Sequence, residues 1–270
     1  MAGPIKVAVC GALGRMGRMV IEAVLGRADM ALAGAVERPG HPDLGRNIGP
    51  LLGRSELELT LSDSLTEAGR GADVYIDFSS IESTLARLDE AEKMGLAVVI
   101  GTTGLNADQQ ARVREAGKKI PVLWAPNMST GVNVMYKIAA AMCKALGPDF
   151  DLEIVESHHN QKKDAPSGTA VKLYQVLAEA RGLDPDKAMI SGREGQVGAR
   201  TKNEIGVLAL RGGDIVGEHT IYFCGPGERL ELTHRAHSRA TFAEGAVRAA
   251  AWLAGKSAGF YTIDDTVSLD

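Results

Sequence analysis

Val7-Ala8-Val9-Cys10-Gly11-Ala12-Leu13-Gly14-Arg15-Met16-Gly17 carries an apolar strand straight into a glycine-rich turn, and a helix follows from about Arg15 to Leu25. Met16, Val20 and Val24 fall on one face of that helix. The first glycine of such a turn permits a tight reversal, the second lets a pyrophosphate approach the backbone, and the third allows close helix–strand packing. The helix N-terminus adds unpaired N–H groups and partial positive charge, which suit phosphates. The spacing is G-x-x-G-x-x-G, a variant of the commoner G-x-G-x-x-G, and a purely structural glycine turn would use the same residues.

The flanking sequence favours a dinucleotide site at Gly11, Ala12, Leu13, Gly14, Arg15 and Met16. Ala31–Val36 reads as the next strand, and Glu37 ends it where an acidic side chain can bond a ribose hydroxyl. Arg38 follows and suits the 2′-phosphate of NADP, so NADH, NADPH or both are expected. A solvated surface arginine is the plain alternative. Further strands are expected at Leu57–Leu61, Val74–Phe78, Ala97–Ile100 and Val122–Trp124, with helices at Ile81–Met94 and Ala107–Lys118 between them. This alternation predicts the α/β class with an N-terminal Rossmann-type, doubly wound parallel sheet. Ligands of such sheets lie at strand C-termini, which adds Gly101, Thr102 and Thr103, and then Ala125, Pro126, Asn127 and Met128, as cofactor contacts.

The pattern changes after Asn127. A helix over Val132–Leu146 stops at Gly147-Pro148, and Asp151–Glu156 alternates in polarity like a half-buried strand. A helix begins near Thr169, and Glu204–Leu210, Glu218–Cys224 and Arg229–Ala236 read as strands without long helices between them. A second α+β domain on a mostly antiparallel open sheet is expected. Thr241-Phe242-Ala243-Glu244 reads as a capping box opening a helix to about Leu253. The expected division is a dinucleotide-binding domain over 1–129, completed by 239–270, and a substrate-binding and oligomerisation domain over 130–238.

The densest chemistry is Glu156-Ser157-His158-His159-Asn160-Gln161-Lys162-Lys163-Asp164-Ala165-Pro166-Ser167-Gly168-Thr169, read as a loop after a strand and before a helix. Histidine exchanges protons near neutral pH, and lysine supplies a point charge for a carboxylate or a proton. Ser167, Gly168 and Thr169 offer hydroxyls and N–H groups at a helix start. Helix capping alone is compatible with ligand binding there, and an ordinary solvated basic loop is the bland alternative. No Cys/His pattern completes a metal site around the paired histidines, so no metal is expected. No hydrolase nucleophile elbow is present.

Composition narrows the classes further. A chain of 270 residues exceeds most single cores, so two domains are natural. A net charge of -4 gives no bulk attraction to nucleic acid, while a small anion can still meet a locally basic cleft. Cys10, Cys143 and Cys224 are odd in number and far apart, which suits reduced thiols. No targeting pattern precedes the first strand and no apolar run spans a membrane, so a cytoplasmic location is expected.

With these motifs in view, the sequence resembles the 4-hydroxy-tetrahydrodipicolinate reductase (dihydrodipicolinate reductase) family. The run His158-His159-x-x-Lys162-x-Asp164-Ala165-Pro166-Ser167-Gly168-Thr169 is similar to the family signature, without a mismatch at its chemical positions. The similarity continues through Gly11–Gly17, Gly101–Gly104, Asn127, Gly131–Val134 and Arg211–Thr220, and so covers nearly the whole chain. The resemblance implies His158 as general acid and Lys162 as its cationic partner, which binds a carboxylate and can donate a proton. It implies a dicarboxylate substrate bound by His159, Lys162, Ser167, Gly168 and Thr169, no membrane or nucleic-acid partner, and a homotetramer built through second-domain sheets. One departure is Ser79-Ser80, where family members often carry a basic residue. Two other readings share the fold: a related dehydrogenase of aspartate or homoserine type, and a redox-sensing regulator that binds NAD(H) without turnover. The histidine-lysine segment disfavours the first. The second would need no proton donor and often carries a DNA-binding module, for which no basic helix is found. A structural protein on a retired enzyme scaffold would be expected to have lost His158 or Lys162, both of which are present.

Overall fold

The computed structural model describes residues 3–268. The chain forms two compact units, one running through Thr130 and resuming at Ala240, the other Gly131–Arg239. The first contains β1 (Ile5–Cys10), α1 (Arg15–Leu25), β2 (Met30–Val36), α2 (Ile48–Leu52), β3 (Leu61–Ser62), α3 (Leu65–Ala68), β4 (Val74–Asp77), α4 (Ile81–Met94), β5 (Ala97–Ile100), α5 (Ala107–Ala116) and β6 (Pro121–Trp124). The second follows with α6 (Thr130–Leu146), β7 (Asp151–His158), α7 (Gly168–Arg181), β8 (Met189–Ile190), β9 (Ile205–Arg211), β10 (Gly217–Gly225) and β11 (Glu228–Ala236). Then α8 (Ala240–Leu253) and β12 (Gly259–Tyr261) return to the first unit.

The first unit has a seven-stranded sheet in the order β12-β6-β5-β4-β1-β2-β3, parallel throughout. Strand periodicity explains how both faces are filled. Val7 and Val9 join a core with Val20 and Val24 of α1 and Ala246 and Ala250 of α8. Their neighbours Ala8 and Cys10 point the other way, into a core with Leu88 of α4 and Val113 of α5. The chain leaves β1 for β2 on one side and later reaches β4 on the other, so the strand order reverses at the C-terminal ends of β1 and β4. That is where a doubly wound sheet opens a ligand crevice.

The expected α/β class and Rossmann-type sheet hold, with local differences. The strand anticipated over Leu57–Leu61 is reduced to Leu61–Ser62, which pairs with Ala35 and Val36. The preceding residues are engaged elsewhere: the Ile48 N–H donates to the Leu59 carbonyl, and Thr60 bridges Asn47. Helix α8 starts at Ala240, so Thr241 lies inside its first turn rather than at the cap. Strands β8 and β12 are too short to carry a periodic signal.

The second unit is built on a five-stranded sheet in the order β11-β10-β7-β9-β8. The expected mostly antiparallel sheet is in fact mixed. Strand β10 runs antiparallel to β7 and β11, whereas β9 runs parallel to β7 and β8. The reason is α7, because a long helical connection from β7 returns the chain in the same direction. Met135 and Ala139 of α6 and Leu173 and Leu177 of α7 pack on the sheet face that carries Leu152, Ile154, Val207 and Ile221.

Candidate active site

At the cofactor end, main-chain geometry does most of the shaping. Gly11 has φ +72, a left-handed conformation that side chains rarely adopt, and a Cβ there would lie 3.2 Å from the Phe78 carbonyl oxygen. A Cβ on Gly17 would lie 2.0 Å from the Gly11 carbonyl oxygen, so only glycine lets α1 approach the turn. Side chains of Asn47, Ser64, Ser80, Asn106 and Ser167 cap α2, α3, α4, α5 and α7. Gly14 leaves α1 without a side-chain cap, and no acidic residue occupies its first turn. Uncapped N–H groups above a glycine cradle suit a pyrophosphate, and the residues present therefore fit a dinucleotide.

Glu37 and Arg38 follow β2. The Leu13 N–H donates to Glu37 Oε1 (2.9 Å) and the Arg38 N–H to Oε2 (3.2 Å), so the turn itself orients the carboxylate. A carboxylate accepts more than two hydrogen bonds, which leaves capacity for a ribose hydroxyl. The Arg38 side chain is exposed beside it. Gly101 and Thr102 follow β5 and are buried, and Thr103 is exposed. Thr102 is fixed by the Thr84 hydroxyl (2.9 Å) and by the Trp124 indole N–H on its carbonyl (3.2 Å). After β6, Ala125 and Met128 are buried, Pro126 is exposed, and Asn127 Oδ1 accepts the Ser129 N–H (2.9 Å). All of these loops lie at the C-terminal edge of one sheet. The Ser79-Ser80 departure has a structural use: Ser79 donates its N–H and hydroxyl to buried Asp77 (2.8 and 2.6 Å), while Ser80 caps α4.

At the substrate end, side chains do the shaping. Strand β7 runs on to His158, so this histidine ends a strand rather than standing in a loop. Period-two alternation then puts Leu152, Ile154, Glu156 and His158 on one face, and the apolar row ends in a fully buried carboxylate. Glu156 Oε2 is 2.6 Å from His158 Nδ1. Arg211, at the end of β9, clamps both Glu156 oxygens at 2.8 Å. The Ser167 N–H donates to Oε1 (2.9 Å), which ties the start of α7 to the same group.

Burial alone would raise the Glu156 carboxyl, but its bonds to Arg211 and His158 outweigh that and hold it below the usual range. An ionised Glu156 only accepts, so His158 Nδ1 carries hydrogen and Nε2 is left to exchange a proton. Gly217 leaves it room, since a Cβ there would lie 3.0 Å from Nε2. Burial lowers the His158 pKa, and Glu156 opposes the shift.

Lys162 is half-buried and pairs with Asp164 at 2.9 Å, whereas Lys163 is exposed. His159 keeps a buried Nδ1 without a partner among the described residues. Gly168 and Thr169 open α7 behind the Ser167 cap, and a Cβ on Gly168 would meet nothing within 4 Å. Gly168 therefore borders open space. Sequence reasoning assigned no roles to Glu156, Arg211 and His219. A strand continued by two residues would have exposed the Glu156–His158 pairing. Arg211 and His219 lie too far along the chain for local spacing to connect them. Among the described residues no group of His, Cys, Asp and Glu side chains is arranged to hold a metal.

A parallel sheet with a glycine cradle at its switch point, accompanied by a mixed-sheet unit carrying a His-Lys-carboxylate cluster, defines a dinucleotide-binding Rossmann-type oxidoreductase. Two family models match in tandem: dihydrodipicolinate reductase, N-terminus, over residues 5–128, and dihydrodipicolinate reductase, C-terminus, over 131–267. The chain belongs to the dihydrodipicolinate reductase family.

It is 49% identical over 265 residues to a 4-hydroxy-tetrahydrodipicolinate reductase of Geotalea daltonii, covering 98% of this chain and 99% of that one. The same identity and coverage hold for the enzyme of that name from Trichlorobacter lovleyi. Among solved structures, the dipicolinate-bound dihydrodipicolinate reductase of Paenisporosarcina sp. TG-14 superposes with a TM-score of 0.77 at 25% identity, over 98% of this chain and 100% of that one.

Proposed function

We propose that this chain reduces 4-hydroxy-tetrahydrodipicolinate to tetrahydrodipicolinate, with NADH or NADPH as reductant, in lysine and diaminopimelate biosynthesis. The observation that carries this reading is the buried Glu156 carboxylate, held by Arg211, bonded to His158 and tied by the Ser167 N–H to the start of α7. Loss of the substrate hydroxyl as water gives a conjugated cyclic imine, whose reduction consumes one hydride and one proton. When bound, the reduced nicotinamide supplies the hydride.

His158 supplies the proton. Burial keeps its ring neutral near pH 7 in the free protein. Two substrate carboxylates bring negative charge that favours protonation of Nε2, while Glu156 holds Nδ1–H and sets the ring plane. Lys162 and His159 face the same anionic ligand, with Lys162 supplying positive charge to a carboxylate. Ser167, Gly168 and Thr169 offer the α7 N-terminus to a carboxylate. Gly11 to Met16, Gly101 to Thr103 and Ala125 to Met128 hold the dinucleotide. Glu37 takes the ribose hydroxyl and Arg38 the 2′-phosphate, so both dinucleotides serve.

The location proposed is cytoplasmic; among the described residues no helix is long and apolar enough to cross a membrane. Assembly as a homotetramer through the second-unit sheet is supported by the face opposite α6 and α7, where Leu210 is 49% exposed. The reaction is tested by following nicotinamide absorbance with each dinucleotide, the substrate being generated from pyruvate and aspartate semialdehyde by a dihydrodipicolinate synthase. Substrate-dependent oxidation by the wild type, reduced by roughly 100-fold or more in Lys162→Met, is expected. No oxidation of either dinucleotide by the wild type would refute the proposal.

A further inference from the structure

His219 lies on β10 directly opposite Glu156 of β7, and it is almost fully buried. Its Nε2 is 3.0 Å from Ser167 Oγ, the hydroxyl that caps α7. Its ring meets the His158 ring edge-on, with centroids 5.3 Å apart at 75°. Its Nδ1 is buried without a hydrogen-bond partner among the described residues. The surrounding charged and titratable groups are His158, Glu156, His234 and Lys162. One side chain thus touches both the proposed proton donor and the proposed carboxylate-binding helix start.

The tautomer follows from hydrogen-bond accounting. A hydrogen on Nδ1 would be a buried donor with nothing to receive it, which proteins avoid more strictly than an idle acceptor. The hydrogen therefore sits on Nε2 and is donated to Ser167 Oγ, which also accepts the Ala170 N–H at 3.2 Å. Both acceptor positions of Ser167 are then used, and the cap is locked from two sides. The Ser167 O–H is left to be donated to the proposed substrate carboxylate, whereas a hydrogen on His219 Nδ1 would find no acceptor in either state.

We propose that His219 is a positioning residue with two separable jobs: its ring fixes the orientation of His158 for proton delivery, and its Nε2–H fixes the Ser167 cap that shapes the carboxylate site. The proposal rests on the reductase reading given above. A neutral ring is required for the first job, since a second imidazolium against His158 would oppose protonation of the donor. Burial, then repulsion from His158, pushes His219 down to about 3, which agrees with the geometry.

Two substitutions separate the jobs. His219→Phe keeps a ring against His158 and removes the donor to Ser167. His219→Gln keeps an amide donor and removes the ring. With dipicolinate as probe, titrated calorimetrically in the presence of NADH, the Phe variant should bind about tenfold more weakly, with KM raised and kcat within about threefold of wild type. The Gln variant should bind dipicolinate within about threefold of wild type while kcat falls about tenfold.

A parallel loss of binding and kcat in both variants, or wild-type behaviour in both, would overturn the proposal. Should either variant fold poorly, nitrogen-15 NMR of the wild-type histidines decides. The expected result is one histidine that stays neutral with hydrogen on Nε2 throughout the usual range of about pH 5 to 8. A His219 that titrates in that range, or carries its hydrogen on Nδ1, would contradict it. Failure of the reductase reading is a separate outcome, seen as wild-type protein that neither binds dipicolinate nor turns over.

Discussion

The two candidate regions, one in each unit, are made of different material. At the dinucleotide end the main chain does the work: Gly11 turns with positive φ, Gly17 brings α1 against that turn, and Gly14 leaves the helix uncapped. At the substrate end side chains do it, through a chain of bonds from Arg211 to Glu156 to His158 and from Ser167 to His219. A main-chain site tolerates exchange of its exposed side chains but not one added methyl group at a close approach. A side-chain network tolerates small changes in backbone but not the loss of a member that leaves a charge buried.

That contrast can be broken by experiment. The largest stability effect should come from Arg211→Met. It strips the guanidinium from the fully buried Glu156 and should cost about 4 kcal/mol in urea unfolding. A loss no larger than that of an ordinary surface ion pair, below about 1 kcal/mol, would mean that Glu156 is not held as described. Gly17→Ala should come next. Its Cβ would collide at 2.0 Å with the Gly11 carbonyl oxygen, so a cost of about 3 kcal/mol and a marked loss of dinucleotide fluorescence binding are expected. Unchanged binding in that variant would remove the cradle from the account.

The smallest effect is electrostatic. His219 is depressed from 6.5 to about 3 in the folded chain. Below 6.5 the unfolded chain therefore binds the extra proton and the folded chain does not, so acidification favours unfolding across that window. The share from this group alone should reach about 2 kcal/mol between pH 7 and pH 5, at about 1.4 kcal/mol per pH unit below the unfolded value. His219→Phe should flatten that part of the profile, measured by urea midpoints at both pH values. An equally steep profile in the variant would assign the acid sensitivity to other groups.

The same contrast explains what could be read in advance. Glycine spacing, strand alternation and the position of Glu37 are local, and they identified the parallel sheet and its cofactor edge from the sequence. The His158–Thr169 run is also local, and it marked the centre of the candidate site. Arg211 and His219 reach that centre from 55 and 52 residues away, through sheet pairing that no local period encodes. The mixed character of the second sheet was missed for a related reason. The helix over Gly168–Arg181 is the connection that makes β9 run parallel to β7, but the three later strand candidates looked like a meander. Strand β3 was overestimated because its apolar residues bond to the neighbourhood of α2 rather than extending the ladder.

The most direct test of a main-chain dinucleotide grip and a side-chain proton delivery is one comparison on His158→Gln. NADH affinity, from nicotinamide fluorescence, and substrate-dependent turnover are measured on the same protein. The account predicts affinity within about threefold of wild type and turnover lower by at least about 100-fold. Turnover close to wild type, or affinity and turnover falling together, would contradict it.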